Sequence, residues 1–178
     1  MLDTILDSPL SSWLQLDTDA TDHIVISSRI RLARNFDGIL FTNRNDMSSL
    51  EKVNTISRGL LQPLKEADGH QYSNINLEQL SERERAILVE KHLMSPALEE
   101  KLPYRNLVVS DDASIVIMVN EEDHLRIQSM VSGLRLEVAY ERVLKIDKAI
   151  EAKYPYAFDE RFGYLTACPT NVGTGLRA

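Results

Sequence analysis

The spacing of apolar positions changes along the chain, and each change predicts a different element of structure. In residues 23–35, HIVISSRIRLARN, apolar and polar positions alternate, which is typical of a strand with one buried face. One side of this strand carries Ile24, Ile26, Ser28, Ile30 and Leu32. The other side carries Val25, Ser27, Arg29 and Arg31. The pattern therefore predicts a strand with an apolar back and a cationic front.

Helical spacing appears near the start of the chain and again in its middle. Residues 3–16 predict a short helix, and the polar residues 17–22 predict a turn after it. A second helix is predicted to begin after Ser81, because Glu84 stands three residues beyond this serine and completes a capping box.

A longer helix is predicted over residues 47–66. Ser48 or Ser49 is a suitable N-cap, since a serine hydroxyl accepts a hydrogen bond from a free amide of the first turn. Gly59 and Pro63 are expected to weaken the later turns of this helix.

The last predicted helix follows Gly133 and ends at Pro155. Its apolar positions recur near helical spacing and are Leu134, Val138, Val143, Ile146 and Ile150. We expect these five side chains to face the core.

Residues 107–109 and 115–119 are apolar runs on either side of the turn-forming sequence SDDAS, which predicts a hairpin. The second run is continuously apolar and is expected to be buried on both faces, and residues 124–131 predict a further strand. Strands and helices are mixed without strict alternation. The predicted fold class is therefore α+β, with a largely antiparallel sheet flanked by helices.

Composition and charge limit the possible functions. The chain has 178 residues, enough for one domain or a large part of one, and its formal net charge of −7 argues against general nucleic-acid binding. The sequence has no apolar run near the roughly 18 residues that a membrane span needs, and its N-terminus does not read as a signal peptide. Its single cysteine suits a reducing compartment. We expect a cytoplasmic protein with no membrane or nucleic-acid partner.

Arginine is concentrated in one place in this acidic chain. Arg29, Arg31 and Arg34 lie within six positions, which indicates a local anion site. On a strand, Arg29 and Arg31 project from one face about 7 Å apart, a spacing that suits adjacent phosphates of a nucleotide. The alternative is a solvated edge strand with ordinary surface charge.

Two further segments carry candidate chemistry. In VNEEDHLRI, three acids follow the buried strand, and because burial of acids is costly they are expected at a sheet edge that faces solvent or a cleft. One carboxylate there can orient a nucleophile, and Arg126 can add an anion contact. The alternative is an acidic turn. In CPTNVGTGLRA, Cys168 is a candidate reactive thiolate near the cation Arg177. The expected hydrogen-bond donors around it are Thr166, Thr170, Asn171 and Thr174. The alternative for Cys168 is an inert buried thiol. His92 carries no functional signal on its own and is interpreted as a packed histidine at a helix end.

Together, SSRIRLARN, VNEEDHLRI and CPTNVGTGLRA resemble the conserved blocks of the phosphagen kinases, the ATP:guanidino phosphotransferases, and ILVEKHLMSP resembles a weaker block. LSSW and GYLTACPTNVGTGLRA are similar to the bacterial branch that phosphorylates arginine side chains of proteins. The resemblance implies the catalytic-domain fold of that family, which is like that of glutamine synthetase. It also implies the cofactors ATP and Mg²⁺.

The resemblance also implies a role for each matching residue. The ATP phosphates would be held by Ser27, Ser28, Arg29, Ile30, Arg31, Arg126 and Arg177. His92 would lie against the adenine, Glu122 would orient the target guanidinium and help to remove its proton, and Cys168 as thiolate would lie beside that guanidinium. It assigns no residue of this chain as a metal ligand.

In the family, the catalytic domain continues past the GLRA loop with a further arginine and a second carboxylate. The resemblance therefore implies that residues 1–178 are the N-terminal portion of that domain, with residues 1–20 as a short helical lead-in, and that they are inactive alone. It implies protein substrates with exposed arginine, an activator, protease–chaperone partners in protein quality control, and a homodimer. Two alternatives are a nucleotide-binding regulatory module without catalysis and a fragment of a free-arginine kinase.

Overall fold

The computed structural model describes residues 2–8 and 24–178. The predicted N-terminal helix over residues 3–16 is confirmed as far as Asp7, in helix α1 (Leu2–Asp7). Ser8 follows the helix and is not helical, so the prediction is wrong there, whereas residues 9–16, the predicted turn over residues 17–22 and LSSW lie outside the described residues. Within the described residues, no helix is long and apolar enough to cross a membrane.

An antiparallel sheet of six strands organises the described part of the chain, in the order β2-β3-β4-β5-β1-β8. Its strands are β1 (Ser27–Arg34), β2 (Tyr72–Asn76), β3 (Asn106–Ser110), β4 (Ile115–Val119), β5 (Leu125–Ser132) and β8 (Leu176–Arg177). A separate two-stranded hairpin consists of β6 (Phe158–Asp159) and β7 (Gly163–Tyr164). The predicted α+β class is confirmed, as are the β3–β4 hairpin and the following strand.

In the described part of the chain, the α-helices after α1 are α2 (Met47–Arg58), α3 (Leu61–Asp68), α4 (Glu82–Glu90) and α5 (Leu136–Glu151). Helix α4 begins with the predicted capping box, in which the Ser81 hydroxyl accepts from the Glu84 amide and the Glu84 side chain accepts from the Ser81 amide. Local sequence was sufficient here because both partners lie within one helical turn.

The single helix predicted over residues 47–66 is wrong in two respects. Its N-cap is Asp46, whose carboxylate accepts a hydrogen bond from the Ser49 amide at 2.8 Å, so neither predicted serine is the cap. The helix also ends at Arg58, with Gly59 as its C-cap, and α3 begins at Leu61. Pro63 lies in the first turn of α3, where a residue without an amide hydrogen loses no helical bond.

The core lies on both faces of the sheet. On one face, α2, α3 and α5 cover apolar side chains that include Ile30, Leu32 and Ile127. On the other face, α1 and α4 with the residues that follow α4 cover only β2, β3 and β4, where Leu107 and Met118 are buried. No helix of residues 2–8 or 24–178 covers the part of this second face that belongs to β5, β1 and β8, and this part carries the candidate site.

Helix α5 confirms the predicted core positions only in part. Val143, Ile146 and Ile150 are fully buried, whereas Leu134 is 56% exposed and Val138 is 40% exposed. The helix begins at Leu136, so Leu134 precedes it. It ends at Glu151, ahead of Pro155, which therefore does not terminate it.

Candidate active site

Three strands bring arginines onto the open part of the sheet. On β1, Arg29 and Arg31 alternate with buried residues, and the register pairs Arg31 with Arg177 of β8. On the other side of β1, Ala33 pairs with Arg126 of β5. The result is an open cleft of about 400 Å³. Its lining is Arg31, Leu32, Ala33, Glu121, Glu122, Asp123, Arg126, Asn171, Gly175 and Arg177.

These cations lie close enough to affect one another. Partial burial lowers the pKa of Arg29, and the charge of Arg126 lowers it further. Partial burial also lowers the pKa of Arg31, with further lowering by Arg126, Arg29 and Arg177. Within the described residues, neither Arg29 nor Arg31 forms an ion pair with a carboxylate. Glu121 pairs with Arg126 and so offsets part of this charge, but positive charge remains in excess, and such an excess in an acidic protein favours an anion.

Arg34 does not belong to this cluster, so the prediction that grouped it with Arg29 and Arg31 is wrong. It binds Asp147 of α5 through two hydrogen bonds of 3.0 and 2.9 Å and lies 3.7 Å from the centre of the Tyr164 ring. It also donates to the carbonyl of Thr174 at 2.9 Å. Alternation contained this information, because Arg34 has the same parity as the buried Ile30 and Leu32.

Ser28 and Ile30 also face away from the cleft. The Ser28 hydroxyl donates to the carbonyl of Gly133 at 2.7 Å and accepts from the amide of Arg135 at 2.8 Å. Ile30 is 3% exposed and packs in the core beneath α5. Of the five positions predicted to hold phosphates on this strand, these two can therefore contribute only main-chain atoms, while Ser27 is partly exposed at the strand end.

The two glutamates that follow β4 have different surroundings. Glu121 is largely buried and its carboxylate accepts from Arg126 at 2.9 Å and from the Ser95 hydroxyl at 2.8 Å. Burial raises the pKa of Glu121, but the charge of Arg126 and these hydrogen bonds outweigh burial, so the pKa is lowered. Glu122 is exposed, and its carboxylate has no hydrogen-bond partner among the described residues. Glu121 holds Arg126 in place, and Glu122 is free to bind a cation.

Glu122 lies between the arginine cleft and a second depression. That depression has a volume of about 480 Å³ and is lined by Thr42, Asn43, Asn45, Glu121, Glu122 and Ala167. The Thr42 hydroxyl donates to the main-chain carbonyl of Glu122 and so joins the two segments. The Glu122 carboxylate thus borders a cationic cleft on one side and, on the other, a groove whose lining is acidic and hydrogen-bonding and includes no lysine or arginine. No sequence pattern indicated this groove.

Cys168 is partly buried in the loop that leads to β8. Its sulfur lies 3.0 Å from the Thr170 hydroxyl oxygen, which also accepts from Arg177 at 2.9 Å. A cation is therefore one hydroxyl group away from the thiol, as predicted. Two of the predicted donors are not at the sulfur, because Thr166 donates to the Cys168 carbonyl and the Thr174 hydroxyl accepts from Leu176.

His92 lies just after α4, at the border of the open face. Its side chain is exposed, its φ of 58° is in the left-handed region, and its carbonyl accepts from the buried side chain of Gln128 at 2.8 Å. Gln128 pairs with Arg31 in the sheet register. The structure thus brings the main chain of His92 next to Gln128, the residue that pairs with Arg31.

Comparison with known proteins agrees with this geometry. Residues 52–178 match the family model for the ATP:guanido phosphotransferase C-terminal catalytic domain. The chain is 45% identical over 168 residues to a protein-arginine kinase of Syntrophomonas wolfei, covering 94% of this chain and 47% of that protein. It is 44% identical over 177 residues to a protein-arginine kinase of Halothermothrix orenii, covering 99% of this chain and 50% of that protein.

Solved structures of related kinases share the fold. A substrate-free duplicated taurocyamine kinase from Schistosoma mansoni superimposes with a TM-score of 0.76 at 24% identity, over 92% of this chain and 25% of that chain. A lombricine kinase superimposes with a TM-score of 0.72 at 25% identity, over 96% of this chain and 50% of that chain. The chain belongs to the ATP:guanido phosphotransferase family, and it spans about half the length of the curated relatives it matches.

Proposed function

We propose that this chain supplies the nucleotide-binding half of the active site of a protein-arginine kinase, which transfers the γ-phosphoryl group of ATP to arginine side chains of proteins. One observation carries this proposal: the free carboxylate of Glu122 lies at the edge of a cleft lined by Arg31, Arg126 and Arg177, and among the described residues only Arg126 of these three is paired with a carboxylate. The arginines suit the phosphates of ATP, and the carboxylate suits a guanidinium. The two reactants would therefore meet at Glu122.

Arg29, Arg31, Arg126 and Arg177 would bind phosphate oxygens through paired hydrogen bonds, and Glu121 would keep Arg126 aimed at them. Phosphoryl transfer depends mainly on positioning and on neutralising charge. Arg29 and Arg31 already lie among like charges, so a polyanion relieves their repulsion when it binds. His92 would then lie at the adenine end of the nucleotide.

The cleft fits a magnesium ion that enters with the nucleotide, because phosphate oxygens are hard ligands of the kind Mg²⁺ prefers and the cationic lining suits phosphates, while Glu121 stays paired with Arg126. When bound, Mg²⁺ supplies neutralisation of charge on the phosphates. The residues of this chain do the rest: they orient the nucleotide and hold the nucleophile in line with it.

Glu122 would bind the target guanidinium and accept its proton as the new phosphorus–nitrogen bond forms. A guanidinium is a poor nucleophile because its pKa lies above about 12, so positioning and proton removal must contribute much of the rate. Cys168 as thiolate would stabilise the guanidinium from the neighbouring loop. Its position supports this role, because the sulfur lies 3.0 Å from the Thr170 hydroxyl, which also accepts from Arg177.

Two observations support a protein substrate. The relatives that are 44–45% identical over nearly the whole chain are named protein-arginine kinases. The groove beyond Glu122 is open, and its exposed Asn43 and Asn45 can hydrogen-bond to peptide groups of either polarity. Among the described residues that line the groove there is no lysine or arginine to bind the carboxylate of a free amino acid.

The experiment joins residues 1–178 to the second half of the Halothermothrix orenii relative, since this chain covers 50% of that protein. ³¹P NMR then measures acid-labile phosphoarginine after incubation with ATP and either an unfolded protein or millimolar L-arginine. We expect phosphoarginine on protein and none on free arginine. The controls are the Glu122→Gln variant of the joined chain and the relative's second half alone.

Efficient turnover of free arginine with none on protein would return the chain to the small-molecule guanidino kinases. ATP binding by the 178-residue chain, combined with a joined chain that transfers nothing, would favour a regulatory nucleotide-binding module. The family resemblance further predicts an activator, protease–chaperone partners, a homodimer and a cytoplasmic location, and these remain predictions.

A further inference from the structure

Asp123 is a buried carboxylate for which the proposed phosphoryl transfer has no use. It is 2% exposed and directly follows Glu122. Its Oδ1 accepts two hydrogen bonds, from the side-chain nitrogen of Asn35 at 2.7 Å and from the amide of Ala167 at 2.6 Å. Burial of a carboxylate is costly without such donors, so the two bonds are a strong constraint on the segments that provide them.

Asn35 extends this connection to a third segment. It follows β1 and is 1% exposed. Its side-chain nitrogen also donates to the carbonyl of Leu165 at 3.1 Å, and its side-chain oxygen accepts from the amide of His124 at 2.9 Å. The end of β1 is thereby bonded both to the acidic block and to the loop that carries Cys168.

His124 completes the set from the other side. It is fully buried, its Nδ1 accepts from the amide of Phe36 at 3.0 Å, and its Nε2 donates to the carbonyl of Leu40 at 2.9 Å. Burial lowers the pKa of His124, which agrees with a neutral ring that donates from one nitrogen and accepts at the other. The residues after β1 are thus fixed against the acidic block before they reach the Glu122 groove.

We propose that Asp123, held by Asn35, is a positioning residue that sets the separation between the Glu122 carboxylate and the Cys168 thiol. Asp123 is the next residue after Glu122, and its bonded partner Ala167 is the residue before Cys168. The Glu122 carboxylate and the Cys168 thiol come from distant parts of the chain. The hydrogen bond from the Ala167 amide to the Asp123 carboxylate connects the two segments that carry them. A displacement of about 1 Å at such a joint is enough to slow a reaction that depends on alignment.

The test uses the 178-residue chain and the labelling of Cys168, which is its single cysteine, by iodoacetamide at pH 7. Asp123→Ala removes the acceptor and frees the loop, so we expect labelling on the order of fivefold faster. Asp123→Asn keeps an oxygen that can accept from both donors, and we expect a rate within about twofold of the unaltered chain.

Asn106→Ala is the matched control. Asn106 is fully buried on β3, where its side-chain nitrogen donates to Asn74 at 2.7 Å, and it is not among the residues that line either depression. We expect this variant to lower the melting temperature without accelerating the labelling of Cys168. Equal labelling rates in Asp123→Ala and the unaltered chain, or equal acceleration in Asn106→Ala, would overturn the proposal.

Hydrogen exchange tests the same joint without any substitution, in case Asp123→Ala does not fold. The Ala167 amide should exchange about a hundredfold more slowly than an open loop amide, because its acceptor is buried. Exchange at the rate of an open loop would contradict the proposal.

The kinetic consequence alone rests on the proposed function: in the joined chain, Asp123→Ala should lower kcat more than about tenfold and leave the KM for ATP nearly unchanged. A joined chain without any kinase activity contradicts the proposed function only, whereas labelling and exchange decide the role of Asp123.

Discussion

Arg29 and Arg34 lie on the same strand, and their surroundings differ in almost every respect. Arg34 is 3% exposed, is bonded twice to Asp147 and donates to two main-chain carbonyls. Arg29 is partly exposed, lies near the charge of Arg126 and has no carboxylate partner among the described residues. The position of each on the strand decides this difference, because opposite parity turns the two side chains to opposite faces of the sheet.

The comparison separates stability from function within one strand. Around Arg34, every strong charge is compensated by another group of the protein, so the arrangement is complete as it stands. Around Arg29, positive charge is compensated only in part, by the pairing of Arg126 with Glu121, and the excess costs stability and prepares the site for an anion. The same distinction applies to the acidic block, where Glu121 is paired and Glu122 is free.

The largest expected effect comes from breaking the compensated pair. Arg34→Ala leaves Asp147 buried without its partner, and we expect a loss of about 3–5 kcal/mol in the free energy of unfolding. Urea denaturation followed by circular dichroism measures this loss. The double variant Arg34→Ala with Asp147→Ala should lose clearly less than the sum of the two single variants, and strict additivity would contradict the coupling.

The next effect sharpens the comparison between the glutamates. In the joined chain, Glu122→Gln should lower kcat by about 10²- to 10⁴-fold, because the variant can neither accept a proton nor pair with a guanidinium. Glu121→Gln should lower it less, since this residue acts through Arg126. Steady-state kinetics with protein substrate measures both variants, and a greater sensitivity at Glu121 would reverse the assigned roles.

A smaller effect is expected at the uncompensated arginines. Arg29→Ala should weaken ATP binding by about 1.5–3 kcal/mol, the usual contribution of a charged hydrogen bond. The unfolding free energy should change by less than about 0.5 kcal/mol, since the side chain is partly exposed and has no carboxylate partner. Calorimetric titration with Mg·ATP and urea denaturation test the two statements. The same variant at Arg34 serves as the contrasting control, and unaltered ATP binding in Arg29→Ala would remove Arg29 from the phosphate site.

The smallest effect concerns an exposed pair far along the sheet, His70 and Asp111, whose side chains are 37% and 45% exposed and lie 2.7 Å apart. Partial burial lowers the pKa of His70, but the hydrogen bond to Asp111 and the charge of Asp112 outweigh it, so the pKa is raised. The hydrogen bond from His70 lowers the pKa of Asp111.

The pair therefore stabilises the fold most between the two titrations. A raised histidine pKa gives stability below about pH 6.5 that is lost as the pH rises through the folded pKa, and a lowered aspartate pKa gives stability above about pH 4 that is lost on acidification. Since the pair is exposed, we expect His70→Ala to cost no more than about 1 kcal/mol at pH 5.5 and less at pH 8. Thermal unfolding at both pH values measures the difference, and a larger loss at pH 8 would contradict the sign.

Much of the fold could be predicted because its signals are local. The capping box at Ser81 and the β3–β4 hairpin depend on residues a few positions apart, and the alternation of β1 assigns Arg29 and Arg31 to one face. The break after Gly59 and the cap at Asp46 were missed, since several residues in each place have the required propensity and packing selects among them.

The candidate site divides in the same way. Sequence motifs by themselves identified the family and the residue types of the site, and they placed the cationic strand, the acidic block and the cysteine loop in order along the chain. The family resemblance already assigned Glu122, and not Glu121, to the guanidinium, but the sequence did not show that Glu121 is paired with Arg126 or that Asp123 connects the acidic block to the cysteine loop. These differences depend on contacts between residues far apart in sequence, such as Asp123 with Asn35 and with Ala167. Burial and hydrogen-bond partners exist only once the chain has folded, and they decide which of two identical side chains is held in place and which is free to react.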